Sequence, residues 1–246
     1  MTSLERVARP AVSADLAPPL RFVSDTILIA RSELRKVIRD PTEMVTRAAQ
    51  PILWLVVFGQ VIASVRAIPT GSLPYLDFLA PGVLAQSALF SAIFYGIAVI
   101  WERDLGIVHK LLASPASRPA LVSGKALSGG LRALVQAAIV YLVSGLVGIH
   151  LRLDPASLVG VVLVIVLGSA VFATFSLNVA CIVRTRERFM GIGQLLTMPL
   201  FFASSAVYPV AIMPDWLKAV AAVNPLTYMV DALRSLMVVG SESDRG

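Results

Sequence analysis

Residues 156–183 read ASLVGVVLVIVLGSAVFATFSLNVACIV. No Asp, Glu, Lys, Arg or His interrupts this run of 28 residues. As a helix, a run of this length covers about 42 Å, which exceeds the roughly 30 Å of hydrocarbon in a bilayer. Since backbone groups in lipid must be hydrogen-bonded within the protein, the run predicts a transmembrane helix.

Four more apolar runs flank this one, over residues of about 45–65, 78–100, 130–149 and 189–209. Each holds roughly 20 residues, the length that a spanning helix needs. The chain of 246 residues is 57% hydrophobic and 15% charged, whereas soluble domains average about 45–50% apolar and 25% charged. We therefore predict an all-α polytopic membrane protein, with five transmembrane helices in a single domain over 22–240.

The residues outside the runs divide into short segments. Residues 1–21 contain three prolines and no apolar core, and we interpret them as a flexible cytosolic tail. Residues 22–39 place apolar side chains three or four positions apart beside a basic flank, which is typical of a helix in the membrane interface. A soluble packing helix is the alternative. Asp40 and Pro41 indicate the start of a new helix, and residues 241–246 form a polar tail.

The basic residues are distributed unequally between the two sides that five spans create. Sixteen of the 21 lysines and arginines fall within 1–47, 101–132 and 184–188, which share one side. Cytoplasmic segments carry the excess of Lys and Arg, so we expect a cytoplasmic N-terminus in a multi-pass protein of the cell membrane. This topology accounts for the net charge of +6, and no nucleic-acid partner is expected.

The polar segment over 101–129 is the most distinctive connection between the runs. It begins WERD at 101–104, and apolar residues at 105, 108, 111 and 112 follow at helical spacing. A short amphipathic helix on the cytoplasmic face is typical of a docking surface for a soluble partner. The same pattern also suits a loop that lies on lipid headgroups, and the pattern alone favours neither.

The sequence indicates no catalytic, metal or nucleotide site. One Cys and two His provide neither a disulfide framework nor a Cys-based zinc site. The Gly124-Lys125 pair lacks the other positions of a phosphate-binding loop, so we expect no ATP site and no bound cofactor in this chain. We interpret His109 as a loop residue and His150 as an interface residue.

Short motifs between the apolar runs resemble those of one family. YLDFLAPG (75–82) opens the second run, and WERDLG (101–106) and KLLASPASRP (110–119) follow it. MPDWL (213–217), NPLTY (224–228) and DALR (231–234) come after the fifth run. In this order, the motifs resemble the type-2 ABC exporter permease family, in its daunorubicin-resistance and nodulation-factor branch, over most of 22–240.

The resemblance implies an assembly and two segments of interest. Two permeases, either two copies of one chain or a pair of paralogues, would join two copies of a separate ABC ATPase, which binds ATP and Mg. The loop after the second span would be the coupling segment, with Glu102, Arg103, Asp104, Gly106 and Leu111. An extracellular re-entrant segment over 210–240 would follow the fifth span, with Pro214, Trp216, Asn224, Pro225, Tyr228, Asp231 and Arg234.

The end of the chain departs from the six spans that the family has. A helix over 225–240 would cover only about 24 Å, and Asp231 and Arg234 would cost several kcal/mol at mid-bilayer. We expect instead short helices over about 213–223 and 226–238, broken at Asn224-Pro225, with the second dipping into the outer leaflet. Asp231 and Arg234, three residues apart, are expected to pair. The tail would then lie outside, and a strained sixth span is the alternative.

These observations predict a permease subunit of an ATP-driven exporter that moves an amphipathic drug, lipid or glycolipid across the cell membrane. The spans offer apolar walls with scattered amides, which we interpret as more typical of helix contacts than of substrate binding. These amides are Gln50, Gln86, Gln136, Asn178 and Gln194.

Two other functions remain as alternatives. An ion-coupled secondary transporter would need ionisable residues deep in its spans, and the middles of the five runs hold none. A membrane-embedded lipid-modifying enzyme would need clustered acids or histidines at a membrane face. Glu102 with Asp104 is the one candidate pair, and ion pairing with Arg103 explains it as well.

Overall fold

The computed structural model describes residues 24, 26–28, 41–65, 68–71, 73–107, 118–183 and 185–239. Across these ranges the chain forms helices joined by turns, and an isolated bridge between Leu151 and Val238 is the only β-contact. The predicted all-α class is confirmed. The expected interfacial helix over 22–39 lies mostly outside the described residues, of which 24 and 26–28 are helical.

Each apolar run of the sequence lies within or across a helix. The first run is one continuous helix with a wide turn inside it, made of α1 (Pro41–Leu53), a π-helical turn (Trp54–Phe58) and α2 (Gly59–Val65). The next four are α3 (Tyr75–Asp104), α4 (Arg118–Val147), α5 (Pro155–Ile182) and α6 (Arg186–Phe202). After a 3-10 turn (Val210–Ile212) come α7 (Asp215–Val223) and α8 (Pro225–Met237).

Four helical stretches in the described part of the chain are long and apolar enough to cross a membrane. They are Ala48–Val65, Tyr75–Asp104, Val122–Val147 and Pro155–Ile182. α3 and α4 also extend beyond their apolar runs, because a helix continues wherever its hydrogen bonds do, whether or not its side chains are apolar. Of the connection expected over 101–129, residues 101–104 and 118–129 are therefore helical and residues 105 and 106 form a turn, while 108–117 lie outside the described residues.

α5 shows how these helices are built. Asp154 caps its first turn by accepting a 2.9 Å hydrogen bond from the Ser157 backbone N–H, and Pro155 occupies the first position. The hydrogen bonds from Ser157 hold the pKa of Asp154 below its ordinary value. One stripe of α5, from Ser157 to Ala180, is buried, while large apolar side chains on its other faces are exposed. That division is expected of a helix that packs on protein along one stripe and meets lipid elsewhere.

α3 is the central helix of the fold. Every residue from Asp77 to Leu89 is buried, and α4, α5, α6 and α8 all pack against this helix. The closest approach is at Gly82, where a Cβ atom would lie 2.2 Å from the backbone oxygen of Ala206. Glycine is required at this position because a backbone segment occupies the space of any side chain.

The fifth predicted span, about 189–209, differs from the helix that is observed. α6 ends at Phe202, so it has 17 residues and covers about 26 Å. Residues 203–207 form buried turns. The helix ends there because the Ser204 hydroxyl donates to the Phe201 oxygen at 2.6 Å and the Asn224 amide donates to the Leu200 oxygen at 2.7 Å. These side-chain bonds replace those of another helical turn.

α8 does not cross from one end of the bundle to the other. A Cβ on Gly168 would lie 2.6 Å from Met229, and one on Gly160 would lie 2.9 Å from Leu236, so α8 runs antiparallel to the first half of α5. Its end is held at the start of α5, where the Arg152 N–H donates to the Met237 oxygen at 2.8 Å. α8 covers about 20 Å, so it begins that far along α5 and ends at the face of the bundle where α5 begins. Residues 241–246 lie outside the described residues.

Candidate functional site

The end of α3 that carries the predicted coupling residues meets the ends of α5 and α6. The Arg186 guanidinium, at the start of α6, lies 3.7 Å from the centre of the Trp101 ring, and its Nη2 is 3.1 Å from Asp104 Oδ2. Arg103 donates from Nη1 to the backbone oxygens of Ala180 and Val183, each at 3.4 Å. We call Trp101, Arg103, Asp104 and Arg186 the inner clasp. It ties the predicted coupling segment to both neighbouring helices.

The remaining predicted coupling residues are placed differently. Glu102 is buried, whereas Asp104 is 43% exposed. Arg103 lies 3.9 Å from Asp104, so the closer cation partner of Asp104 is Arg186 rather than the Arg103 that the sequence suggested. Gly106 has φ of +71°, a left-handed conformation that ends a helix and favours glycine. Leu111 lies outside the described residues.

At the opposite end, three predicted residues surround a buried non-helical segment. Residues 203–207 are buried turns, and their carbonyl groups accept hydrogen bonds from side chains. Asn224 donates to the Ala203 oxygen at 3.0 Å, and Arg234 donates to the Ser205 oxygen at 2.6 Å. We call residues 203–207, with Asn224, Asp231 and Arg234, the outer turn. Non-helical backbone at membrane depth needs such protein partners.

Asp231 and Arg234 pair as the spacing predicted. Arg234 Nη1 lies 3.2 Å from Asp231 Oδ1, which also accepts a 2.7 Å hydrogen bond from the Ser205 hydroxyl. The guanidinium also lies 3.9 Å from the centre of the Phe78 ring. The pair thus connects α8 to α3 and to the chain after α6.

The other residues of the predicted re-entrant segment shape α7 and its junction with α8. Pro214 precedes α7, and Pro225 is the first residue of α8, so the expected break at Asn224-Pro225 is observed. Asn224 also caps α8 by accepting from the Leu226 N–H at 3.0 Å. Tyr228 donates to the Ala222 oxygen at 2.6 Å, which links the two helices, while Trp216 is exposed.

A cavity of about 690 Å³ lies between α1, α3, α4 and α6. Four of the five amides noted in the sequence line it, namely Gln50, Gln86, Gln136 and Gln194. Asn178 is elsewhere, exposed on α5, and donates to the Thr174 oxygen. The rest of the lining is hydroxyl or apolar: Thr46, Pro51, Ser87, Phe90, Ser91, Phe94, Ile97, Thr197 and Met198.

This cavity is the feature of the candidate site that the sequence did not predict. The glutamines stand on four different helices, and their convergence depends on how each helix is rotated. The sequence did show several glutamines within its apolar runs. Polar side chains in membrane spans are costly and often functional, so their number was the feature that could have indicated a site. All described residues that line the cavity have uncharged side chains. Amides, hydroxyls and apolar groups of this described lining provide hydrogen-bonding and apolar contacts.

Comparisons with known proteins identify the family. The family model of the ABC-2 type transporter matches residues 25–238. The putative transport permease ycf38 of Cyanophora paradoxa is 26% identical over 217 residues, which cover 87% of this chain and 74% of that protein. The daunorubicin resistance ABC transporter permease protein DrrB1 of Streptomyces coeruleorubidus is 26% identical over 198 residues, covering 80% of this chain and 69% of that protein.

Nodulation protein J of Sinorhizobium fredii is 26% identical over 168 residues, covering 68% of this chain and 63% of that protein. The motifs resembled the daunorubicin-resistance and nodulation-factor branch of the family, and relatives named for daunorubicin resistance and for nodulation confirm that resemblance. The family model covers nearly all the residues that the structure describes, and the helical fold agrees with it. The chain is therefore a transport permease of the ABC-2 type transporter family.

Proposed function

We propose that this permease exports an uncharged amphipathic molecule across the cell membrane, driven by two copies of a separate ABC ATPase that dock on the inner clasp and on the residues that follow it. A second permease, either another copy of this chain or a paralogue, would complete the transporter. The inner clasp is the observation that carries this proposal, because it joins the segment expected to meet the ATPase to helices that line the cavity.

The connection from clasp to cavity is short. Arg186 belongs to the clasp and begins α6, and Gln194 lies two helical turns further along the same helix and lines the cavity. α3 likewise runs from Asp104 in the clasp back to Gln86 in the cavity. A displacement of the clasp by an ATPase would therefore move two cavity walls, since an unbroken helix transmits motion along its axis.

The orientation of the chain supports the same arrangement. The excess of lysine and arginine in the segments on the side of the clasp supports a cytoplasmic position for it, where ATP and an ATPase are available. Charge inversion at Asp104 tests the docking. Asp104→Lys removes the carboxylate and sets a cation beside Arg186, so we expect several-fold less ATPase to remain bound to the purified permease when the two proteins are produced together.

Asp215→Lys is the matched control. Asp215 is an exposed carboxylate that lies 3.2 Å from Lys218 on α7, at the opposite end of the fold. The same charge inversion there should leave ATPase binding unchanged. If both variants retain as much ATPase as the unmodified permease, or if both lose it equally, the ATPase does not dock at the clasp.

The cavity supports the uncharged substrate. A charged substrate or a coupling ion would meet fixed opposite charges in its binding site, and the described lining offers amides, hydroxyls and apolar groups. The names of the relatives mention resistance to daunorubicin and nodulation, and neither name gives the substrate of this chain. The substrate class of this chain is therefore argued from its own cavity.

A further inference from the structure

Four aromatic rings join the first helix of the bundle to the end of α6. The centre of the Trp54 ring lies 5.7 Å from that of Phe201 and 6.4 Å from that of Phe202, with planes 76° and 61° apart. Phe58, one turn further along the helix of Trp54, has its ring centre 4.6 Å from that of Trp54. These edge-to-face arrangements are among those that aromatic pairs prefer. We call Trp54, Phe58, Phe201 and Phe202 the ring latch.

The ring latch lies next to the cavity, on the side of the outer turn. Gln50 lines the cavity one helical turn before Trp54, and Thr197 lines it one turn before Phe201. The first helix and α6 thus each provide part of the cavity wall, and the rings join the two helices at one end of it. A contact in this position holds one wall of the cavity to another.

The α6 side of the latch is held in place. The Phe201 side chain is fully buried, and its backbone oxygen accepts the Ser204 hydroxyl at 2.6 Å. The Leu200 oxygen accepts the Asn224 amide at 2.7 Å. A displacement of Phe201 would therefore break bonds that hold the outer turn.

The Trp54 side of the latch belongs to a deformable stretch of helix. Pro51 has no N–H, so the carbonyl group four residues earlier lacks its helical hydrogen bond. Trp54 begins the π-helical turn, in which the Gly59 N–H donates to the Trp54 oxygen and one extra residue is accommodated. Prolines and π-helical turns are two of the causes of helix bending.

A π-helical turn also provides a way for the ring to move. If the extra residue is accommodated one position along the helix, the residue that it passes rotates by about 100° about the helix axis. At Trp54 such a rotation would turn the ring away from Phe201 and Phe202. Both ends of the helix could stay in place, because only the position of the extra residue changes.

We propose that Trp54 is a gating residue of the cavity. Its ring closes the cavity while it packs on Phe201 and Phe202, and a shift of the π-helical turn opens the cavity by releasing the first helix from α6. The inference concerns access to the cavity that the proposed export function uses, and it rests on that function. The moving part is the Trp54 side of the latch, because the α6 side is held by the outer turn.

Thiol labelling of a cysteine in the cavity tests this assignment. Ser91 lines the cavity and is 4% exposed, so Ser91→Cys reports access to the cavity once the exposed Cys181 is changed to Ser. The full chain is held in lipid nanodiscs without ATP, and its rate of reaction with N-ethylmaleimide is measured. Loss of an aromatic contact shifts an equilibrium by about three- to tenfold, so we expect Trp54→Ala to raise this rate by about that factor.

Three further variants define the contribution of the rings. Trp54→Phe keeps an aromatic ring at this position and should label close to the original rate. Phe202→Ala removes the contact from the α6 side and should raise the rate; Phe202 is 42% exposed, so its loss should leave the core intact. Trp216→Ala is the matched control, because it removes an exposed tryptophan of α7 outside the latch, and it should leave the rate unchanged.

A second reporter separates gating from a general loss of structure. Ser169 is fully buried on α5 and does not line the cavity, so Ser169→Cys reports loosening of the whole bundle. Trp54→Ala should leave the labelling of this reporter slow. If both reporters become equally fast, Trp54 has a structural role alone and the inference is overturned.

Two other results would also overturn the inference. One is a folded Trp54→Ala variant in which Ser91→Cys labels no faster than before, and the other is a Trp54→Phe variant that labels as fast as Trp54→Ala. Where Trp54→Ala does not fold, an unchanged rate in Phe202→Ala overturns the inference instead. These measurements use no ATPase, so they can fail while the ATPase still docks at the clasp, and the docking test can fail while they succeed.

Discussion

The inner clasp and the outer turn each join distant helices through one arginine, but the two arginines differ in their surroundings. Arg186 lies between an exposed carboxylate and an exposed aromatic ring, and 32% of its side chain is accessible. Arg234 donates to backbone oxygens inside the bundle, and 13% of its side chain is accessible. Similar chemical groups are therefore used once in an accessible position and once in a buried one.

The difference shows which end of the fold is able to move at low cost. An exposed ion pair and an exposed cation–π contact are each worth about 0–1 kcal/mol, because water replaces them when they part. The bonds at the outer turn satisfy backbone that has no helical partners, so water or lipid would have to take their place at membrane depth. If the proposed export function holds, the clasp is therefore the end expected to open during transport, and the outer turn is expected to stay fixed.

The most severe test of the fixed point is Gly82→Ala. The added Cβ would lie 2.2 Å from the Ala206 oxygen, and backbone on both sides prevents relief by a side-chain rotation. We expect a loss of more than about 3 kcal/mol and little folded protein, measured by size-exclusion profile and thermal unfolding in detergent. Gly193→Ala is the control, since its Cβ would meet Phe94 at an ordinary 3.5 Å. Equal behaviour of the two variants would refute the close contact.

Removing the buried cation is expected to have the next largest effect. Arg234→Met keeps much of the side-chain volume but leaves Asp231 and the Ser205 oxygen without this donor. Hydrogen bonds to charged groups contribute about 1.5–3 kcal/mol, so the unfolding temperature should fall by several degrees. Lys218→Met removes an exposed cation from the same end of the protein, and its unfolding temperature should not change. If Arg234→Met unfolds at the same temperature as the unmodified permease, the outer turn is no more rigid than the clasp.

The smallest effect on stability is expected at the clasp. Arg186→Gln removes an exposed ion pair and the contact with Trp101, which together contribute about 1 kcal/mol or less. Export in proteoliposomes should nevertheless fall severalfold relative to ATP consumed, because α6 is then less firmly joined to α3. Arg188→Gln, two residues further along α6, serves as the control. A large drop in unfolding temperature for Arg186→Gln would show that the clasp is as fixed as the outer turn.

Local chemistry allowed parts of the fold and of the site to be predicted. The long apolar runs predicted the helical membrane fold, and Pro225 predicted the break before α8 because proline disfavours helix at the residue before it. The pairing of Asp231 with Arg234 followed from their spacing of three residues. Each of these features depends on residues that are close together in the sequence.

Features that depend on residues far apart were not predicted. Arg186 meets Trp101 across 85 positions of sequence, and nothing near either residue indicates the other. The end of α6 at Phe202 depends on Asn224, which stands between α7 and α8, 22 residues further along the chain. The convergence of the glutamines depends on helix rotation, which a hydropathy pattern does not define for a helix surrounded by apolar neighbours.

The π-helical turn at Trp54–Phe58 has an evolutionary consequence. Such a turn is an α-helix with one residue inserted, so deleting one residue from it would restore ordinary helical geometry. Gln50 would still face the cavity, and Gly59 would still pack on α3, where its Cβ would lie 2.8 Å from Leu76. Elsewhere in the helix a deletion would rotate everything beyond it by about 100°. Related permeases that are one residue shorter in this span are therefore expected to place their alignment gap within 54–58.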